Sequence, residues 1–463
     1  MYQGDTSPNR GLYANTGYGP GFAVLEFGSP DRVAVVEPET AFWALVERSS
    51  LDQALSGDII RQFEAKSRDF AQDMEHLRSG LKPSAVYLNP TERCNLNCSY
   101  CYLPEEMRRN GRDMQSRDLL RALEKLKAYF NRSLPPEATP QLIFHGSEPL
   151  LAKEAVFDAI ERYSGDFHFG IQTNGTLLDD ESIAFLKRHE VGVGLSLDGP
   201  RALVSDRIRK NWGNQGVFDR VHEVLYKLKD YPALNVITTV TRENVYDLED
   251  MVDFYHELGV GVVMMNPVRC TRQGGTDLKP DNQVLAREFI RALERSYQLY
   301  QKTGRKLVIA NFANALAGII GPTGRRLMCD ISPCGGGRCF FAVASDGQAV
   351  PCSEFIGLDR FFGGNIFERD PETILASEPF TAVTERKVEN ITPCYTCAIR
   401  HFCGSPCPAE TYMSCGGLNT PSPYCSFFEE QVRYAFRLIS EGREEAFLWD
   451  TWEDETEVFH SWK

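Results

Sequence analysis

Three thiols within eight residues, Cys94, Cys98 and Cys101, form the segment of this chain best suited to chemistry. A structural zinc site closes with four ligands and often takes histidine, and no histidine lies in this loop. Three thiolates on a [4Fe–4S] cube instead leave the fourth iron without a protein ligand, open to a small molecule that chelates it and receives an electron. Two further groups follow: Cys329, Cys334, Cys339 and Cys352, then Cys394, Cys397, Cys403, Cys407, Cys415 and Cys425. Of the 14 cysteines only Cys270 stands apart. In a long chain whose thiols stay reduced, grouped cysteines serve as metal ligands or catalysts rather than as bridges. Spacing alone does not separate zinc from iron–sulfur at the later groups.

The elements around the first loop alternate between strand and helix. Residues 85–89, 142–145, 167–172, 191–197, 236–240 and 260–266 read as short β-rich runs. Between them lie apolar stripes at helical spacing, such as Leu119, Leu120, Leu123, Leu126 and Phe130, or Met251, Phe254, Tyr255 and Leu258. Strand–helix repetition implies a parallel sheet with helices outside it. Six units are too few to close an eight-stranded ring, so the fold class is α/β, an open, partial (β/α)6 TIM-like barrel. Chemistry in such folds sits at the C-terminal ends of the strands, and the first cysteine loop follows the first strand. Upstream, residues 22–27 and 32–36 flank a Gly28-Ser29-Pro30-Asp31 turn and read as a hairpin, with helical patterns at 40–48 and 57–79. This makes a small N-terminal α+β domain. From 321 to 426 the periodicity dissolves into Gly-, Pro- and Cys-rich segments, a stretch that metal ligation rather than a hydrophobic core would hold. A helical pattern at 427–439 leads into an acidic tail with Trp449, Trp452 and Trp462. The expected domains are therefore 1–84, 85–320, 321–440 and a tail at 441–463.

With Tyr100 before its last cysteine, the Cys94-x3-Cys98-x2-Cys101 loop resembles the radical S-adenosylmethionine superfamily. The resemblance implies that the open iron binds the amino and carboxylate groups of S-adenosylmethionine. Reduction then yields methionine and a 5′-deoxyadenosyl radical, which abstracts a substrate hydrogen. His145-Gly146-Ser147-Glu148-Pro149-Leu150 resembles the family's Gly-Gly-Glu-Pro segment, with Ser147 in place of the second glycine. In the family that segment contacts the cofactor's amino group. Thr173 and Asn174 end the third strand and line the same mouth, while Ser196 matches the position that touches the ribose. Ser205-Asp206-Arg207-Ile208-Arg209 resembles a His-Asp-x-x-Arg segment of peptide-modifying members, so Arg209 would pair with the cofactor carboxylate. The C-terminal cysteines resemble the SPASM extension, an iron–sulfur domain with two auxiliary [4Fe–4S] clusters. Its interleaved ligation would give Cys329, Cys334, Cys352 and Cys407 to one cluster, and Cys394, Cys397, Cys403 and Cys425 to the other. Cys339 and Cys415 stand as alternatives to Cys329 and Cys425.

SPASM members mostly modify peptides or protein side chains. The expected enzyme is therefore a peptide maturase that forms a thioether or carbon–carbon crosslink on a ribosomally made precursor, fed by a flavodoxin- or ferredoxin-type donor. Cys270 and Glu354 are its candidate catalytic residues. The N-terminal hairpin would bind the precursor by strand addition. An anaerobic sulfatase-maturing enzyme, which makes formylglycine, is the nearest alternative. That group carries Asp directly after the cysteine corresponding to Cys352, where this chain has Ser353-Glu354. A non-catalytic iron–sulfur electron carrier would need neither an open iron nor Glu148 and Arg209. Composition narrows the partners further. Lys plus Arg number 50 against 64 Asp plus Glu, a net charge of -14, which argues against a nucleic-acid or anionic-membrane partner. Residues 1–20 lack the apolar core of a signal peptide, and no apolar run reaches membrane-spanning length. A cytoplasmic location is expected.

Overall fold

The computed structural model of the protein describes residues 21–450 and Trp452. The N-terminal segment 1–20 and Trp462 lie outside the described residues. The hairpin forms as β1 (Ala23–Leu25) and β2 (Arg32–Glu37), paired antiparallel. Gly28 makes the turn with a positive φ of 82°.

Residues 40–48, expected as helix, instead contain a third antiparallel strand, β3 (Phe42–Glu47), beside β2. The reason lies in the alternation of its side chains. Phe42 and Val46 pack with the helix Ile59–Glu75, where Phe42 meets Phe63 and Phe70 at ring separations of 5.5 Å. Trp43 and Leu45 point the opposite way onto the main core, and Trp43 Nε1 donates to the carbonyl of Ile319 at 2.7 Å. A segment with apolar partners on both sides satisfies a period of two better than one of 3.6.

The six expected parallel strands are present: β4 (Ala85–Leu88), β5 (Gln141–Phe144), β6 (His168–Thr173), β7 (Gly192–Ser196), β8 (Leu234–Val240) and β9 (Val262–Pro267). They pair in chain order, each parallel to the next. The sheet then extends at both ends. β10 (Val308–Ile309) adds beside β9. At the other edge β11 (Phe340–Val343) pairs parallel with β4 and turns back into β12 (Gln348–Val350) and β13 (Gly364–Asn365). The cysteine-rich region thus contributes strands to the barrel sheet, where the sequence pattern showed none. The short run Phe340-Phe341-Ala342-Val343 is wholly buried, as befits a parallel strand covered on both faces. The ring stays open, with β10 and β13 as its edges.

Helices cover the outside. Ser116–Ser133 turns Leu119, Leu123, Leu126 and Phe130 inward, as its stripe predicts. Asn282–Thr303 starts at Asp281, whose carboxylate accepts from the backbone N–H of Gln283 and Val284, and stops at Gly304 with φ 72°. The C-terminal helix Cys425–Glu441 packs against it through Phe427 and Phe289, whose rings lie 5.4 Å apart at 90°. Among the described residues no helix is long and apolar enough to cross a membrane.

Candidate active site

The loop carrying Cys94, Cys98 and Cys101 leaves the C-terminal end of β4 and is pinned from several sides. Cys94 N–H donates to the carbonyl of Arg108 at 2.8 Å, and Asn97 and Ser99 N–H donate to Lys210 and Ile208. Trp212 Nε1 donates to the Cys94 carbonyl at 2.8 Å. Burial pushes the Cys94 thiol up to about 12, with Glu148 and Cys98 adding to it. Burial likewise raises Cys98 and Cys101. Thiolates are unstable in such a site unless a cation holds them, which suits a metal cluster. Leu96 N–H already points at the Cys94 sulfur at 3.4 Å.

Around this loop the strand ends converge. Glu148 is wholly buried. Its Oε1 accepts from Thr173 Oγ1 at 2.8 Å and from Leu150 N–H at 3.1 Å, and its Oε2 accepts from Asn174 N–H at 2.8 Å. Burial raises its pKa against the pull of these donors. Both oxygens are engaged within the chain, so Glu148 fixes the end of β6. Asn174 in turn donates from Nδ2 to Asn95 Oδ1 at 2.9 Å, inside the cysteine loop. Ser147 Oγ donates to the carbonyl of Glu92 at 2.6 Å. Ser196 closes β7, half-buried.

Gly146 has φ 102°, and a Cβ there would stand 2.1 Å from Asn89 Nδ2. Gly146→Ala is therefore expected to cost roughly 2–4 kcal/mol of stability, read as a lower urea midpoint.

Sequence reasoning missed the residue that organises the far side. Asp198, two residues past Ser196, is fully buried. Its Oδ2 accepts from Tyr100 Oη at 2.5 Å and from Arg209 Nη1 at 3.3 Å, and Oδ1 accepts from Thr239 N–H at 2.7 Å. Burial alone would lower the Arg209 pKa, but Tyr100, Cys98 and Asp198 hold it well above the ordinary value. Arg209 Nε is buried without a hydrogen-bond partner. A buried guanidinium N–H left over beside the cysteine loop fits a carboxylate ligand. The signal for Asp198 was present as Leu197-Asp198-Gly199-Pro200 after the fourth strand.

The later cysteines sort into two neighbourhoods. Cys334, Cys352 and Cys407 share one apolar group with Phe355, and Cys101 and Tyr102 of the first loop pack against it. Cys329 bears on the charge of Cys352 and, exposed, lines a cavity together with Tyr87, Phe340 and Met328. Elsewhere Cys425 bears on Cys394, Cys397 and Cys403. The alternatives lie differently. Cys339 is wholly buried next to β11, and Cys415 is exposed with Ser414 Oγ 3.5 Å from its sulfur. No three His, Cys, Asp or Glu side chains among the described residues converge tightly enough to hold a single metal ion. A polynuclear cluster spaces its thiolates more widely than a zinc ion does. Glu354, half-buried, has an Oε2 without a hydrogen-bond partner, and burial pushes its pKa up to about 7 against the pull of Arg269. Cys270 packs inside the core, its N–H donating to Glu410 Oε1 at 2.8 Å and its sulfur 3.9 Å from Tyr424 Oη. Burial pushes that thiol up to about 12.

Two family profiles match the chain: the radical SAM superfamily over residues 88–255, and the iron–sulfur cluster-binding SPASM domain over 334–398. The chain belongs to the radical SAM superfamily and carries a SPASM domain. It accordingly takes a [4Fe–4S] cluster that binds S-adenosylmethionine, together with auxiliary clusters. An uncharacterised protein of Archaeoglobus fulgidus is 39% identical over 405 residues, 88% of this chain and 92% of its own. The cysteine-type anaerobic sulfatase-maturating enzyme of Clostridium perfringens is 24% identical, across 78% of this chain and 98% of its own. Among solved structures, anSMEcpe with bound AdoMet superposes with a TM-score of 0.69 at 21% identity, covering 82% of this chain and all of that one. Streptococcus suis SuiB bound to precursor peptide SuiA gives 0.57 at 13% identity, covering 86% and 96%. These likenesses establish the fold of the radical SAM enzyme described here.

Proposed function

We propose that the enzyme abstracts a hydrogen from a side chain of a ribosomally made precursor peptide and closes a thioether or carbon–carbon crosslink there. The observation that carries this reading is a set of unpartnered polar atoms beside the apolar group that joins the two thiol regions. Glu354 bears on Cys101 of the first loop and on Cys329, Cys352 and Cys407 beyond it. The buried Oε2 of Glu354, Tyr102 Oη and Thr271 Oγ1 have no partner in the chain, so a substrate backbone or side chain would complete them.

In this reading Cys94, Cys98 and Cys101 hold the first cluster. Cys329, Cys334, Cys352 and Cys407 hold one auxiliary cluster, and Cys394, Cys397, Cys403 and Cys425 the other. Arg209 takes the cofactor carboxylate, while Gly146, Ser147, Thr173, Asn174 and Ser196 line the remainder of its site. When bound, the cluster and S-adenosylmethionine supply a hydrogen-abstracting radical. Glu354 would take the proton released from the substrate as the new bond closes, and an auxiliary cluster held by Cys329, Cys334, Cys352 and Cys407 would supply the acceptor for one electron. Cys270, sealed against Tyr424, has no part in this. The precursor docks by adding a strand beside β3, which pairs on one side only. A flavodoxin- or ferredoxin-type protein returns electrons to the first cluster.

The sulfatase-maturating relatives, aligned over nearly their whole length, favour a second reading, oxidation of Cys or Ser to formylglycine. Co-expression with a candidate precursor peptide, followed by mass spectrometry, separates the two. A crosslink shows a loss of two hydrogens and no reaction with a hydrazide probe. Hydrazide labelling would favour the second reading, and an unmodified peptide in the presence of 5′-deoxyadenosine formation would overturn the first.

A further inference from the structure

Between the two auxiliary thiol sets lies a buried cation that the reaction itself does not use. Arg386 is 3% exposed. Its Nε donates to the carbonyl of Leu418 at 2.6 Å, and Nη2 donates to Ser405 Oγ and to the carbonyl of Thr420, each at 3.3 Å. Among the described residues no carboxylate pairs with it. After burial, the groups acting most on its charge are Cys334 and Cys407, then Cys394 and Cys403. In the ligand sets proposed above, the first two belong to one auxiliary cluster and the last two to the other.

The backbone is shaped to bring this about. Gly404, Ser405 and Cys407 all have positive φ, at 66°, 46° and 60°, and non-glycine residues adopt that region only under constraint. The bend sets Ser405 between Cys403 and Cys407, which belong to different sets. Ser405 accepts from Arg386, and it pulls the Cys394 thiol down against the rise that burial gives it. A path of contacts thus runs from the guanidinium through one hydroxyl to a ligand of the second set.

We propose that Arg386 is a positioning residue that raises the reduction potentials of both auxiliary clusters, readying them to accept the substrate's electron. A cube with four thiolates is already anionic and gains one further negative charge on reduction. A fixed cation beside the ligand thiols in a water-poor interior favours the reduced state. It also screens the two anionic clusters from each other. The arginine stays charged throughout, so the transfer itself adds one electron to a cluster and no proton.

The test is a potentiometric titration of the anaerobically purified holoprotein followed by EPR, with iron and sulfide content measured alongside. Arg386→Gln is expected to disfavour reduction of both auxiliary clusters at least tenfold, a shift of about 59 mV or more toward negative potential for one electron. Arg386→Lys, which keeps the charge, should restore most of it. Equal shifts for Gln and Lys, or no shift with iron content intact, overturn the proposal. If Arg386→Gln loses a cluster, Ser405→Ala decides: a negative shift confined to the Cys394 cluster supports the relay, and none overturns it. The proposal rests on the ligand sets given above. Cys334→Ala and Cys394→Ala test those separately, because each should remove one cube's iron and a different EPR signal.

Discussion

Replacing Cys94, Cys98 and Cys101 together by alanine is expected to abolish 5′-deoxyadenosine formation, a fall on the order of 10³-fold or more, to the detection limit. The auxiliary iron should remain. The argument is local. These thiols are the only cysteines on the loop that leaves β4, and the end of β6 reaches that loop through Asn174 and Asn95. The loop's other supports, Trp212 on the Cys94 carbonyl and Arg108 on Asn97 Oδ1 at 2.9 Å, do not involve sulfur. The variant should therefore keep the barrel and lose the cube. Iron and sulfide per chain, measured after anaerobic purification, should drop by one [4Fe–4S] unit while the auxiliary EPR signals persist. Full turnover in the variant would remove the basis for the radical chemistry altogether.

How far this site was legible in the sequence depends on the range of the interactions that build it. The cysteine loop, the Gly146–Glu148 turn and the six strands read directly, because each is a short segment whose residue types and spacing carry their own reason. The strand β3 did not read correctly. Whether Trp43 and Leu45 are buried depends on a core supplied by Ile319 and Phe436, which are distant in the chain. The strand β11 was hidden for a similar cause: four apolar residues between cysteines become a strand only because β4 offers an open edge. Cys415 and Cys425 read alike in the sequence, and both are exposed at helix ends; what separates them is that Cys425 bears on the charges of Cys394, Cys397 and Cys403, a relation set by distant segments. Asp198 was overlooked because an Asp-Gly-Pro turn has a sufficient local explanation. Its partners Tyr100, Arg209 and Thr239 come from three separate segments.

That same carboxylate gives the largest expected effect outside the cysteines. Asp198→Ala is expected to destabilise the folded protein by about 3–5 kcal/mol, because it leaves Arg209 charged, buried and without its carboxylate. Asp198→Asn should fare little better: Thr239 N–H needs the amide oxygen, which turns the NH₂ group toward the donors of Arg209 and Tyr100. The lost charge partner and the lost cofactor contact can be told apart. In the double variant Asp198→Ala/Arg209→Met no unpaired charge remains, so much of the stability should return, with a coupling of about 1–3 kcal/mol between the two sites. Affinity for S-adenosylmethionine should not return, because the guanidinium that would receive its carboxylate is gone. Urea midpoints and calorimetric binding on the reconstituted protein measure the two effects separately. Equal losses of stability in the single and double variants would mean that Asp198 acts through Thr239 and the end of β8, and that its pairing with Arg209 contributes little.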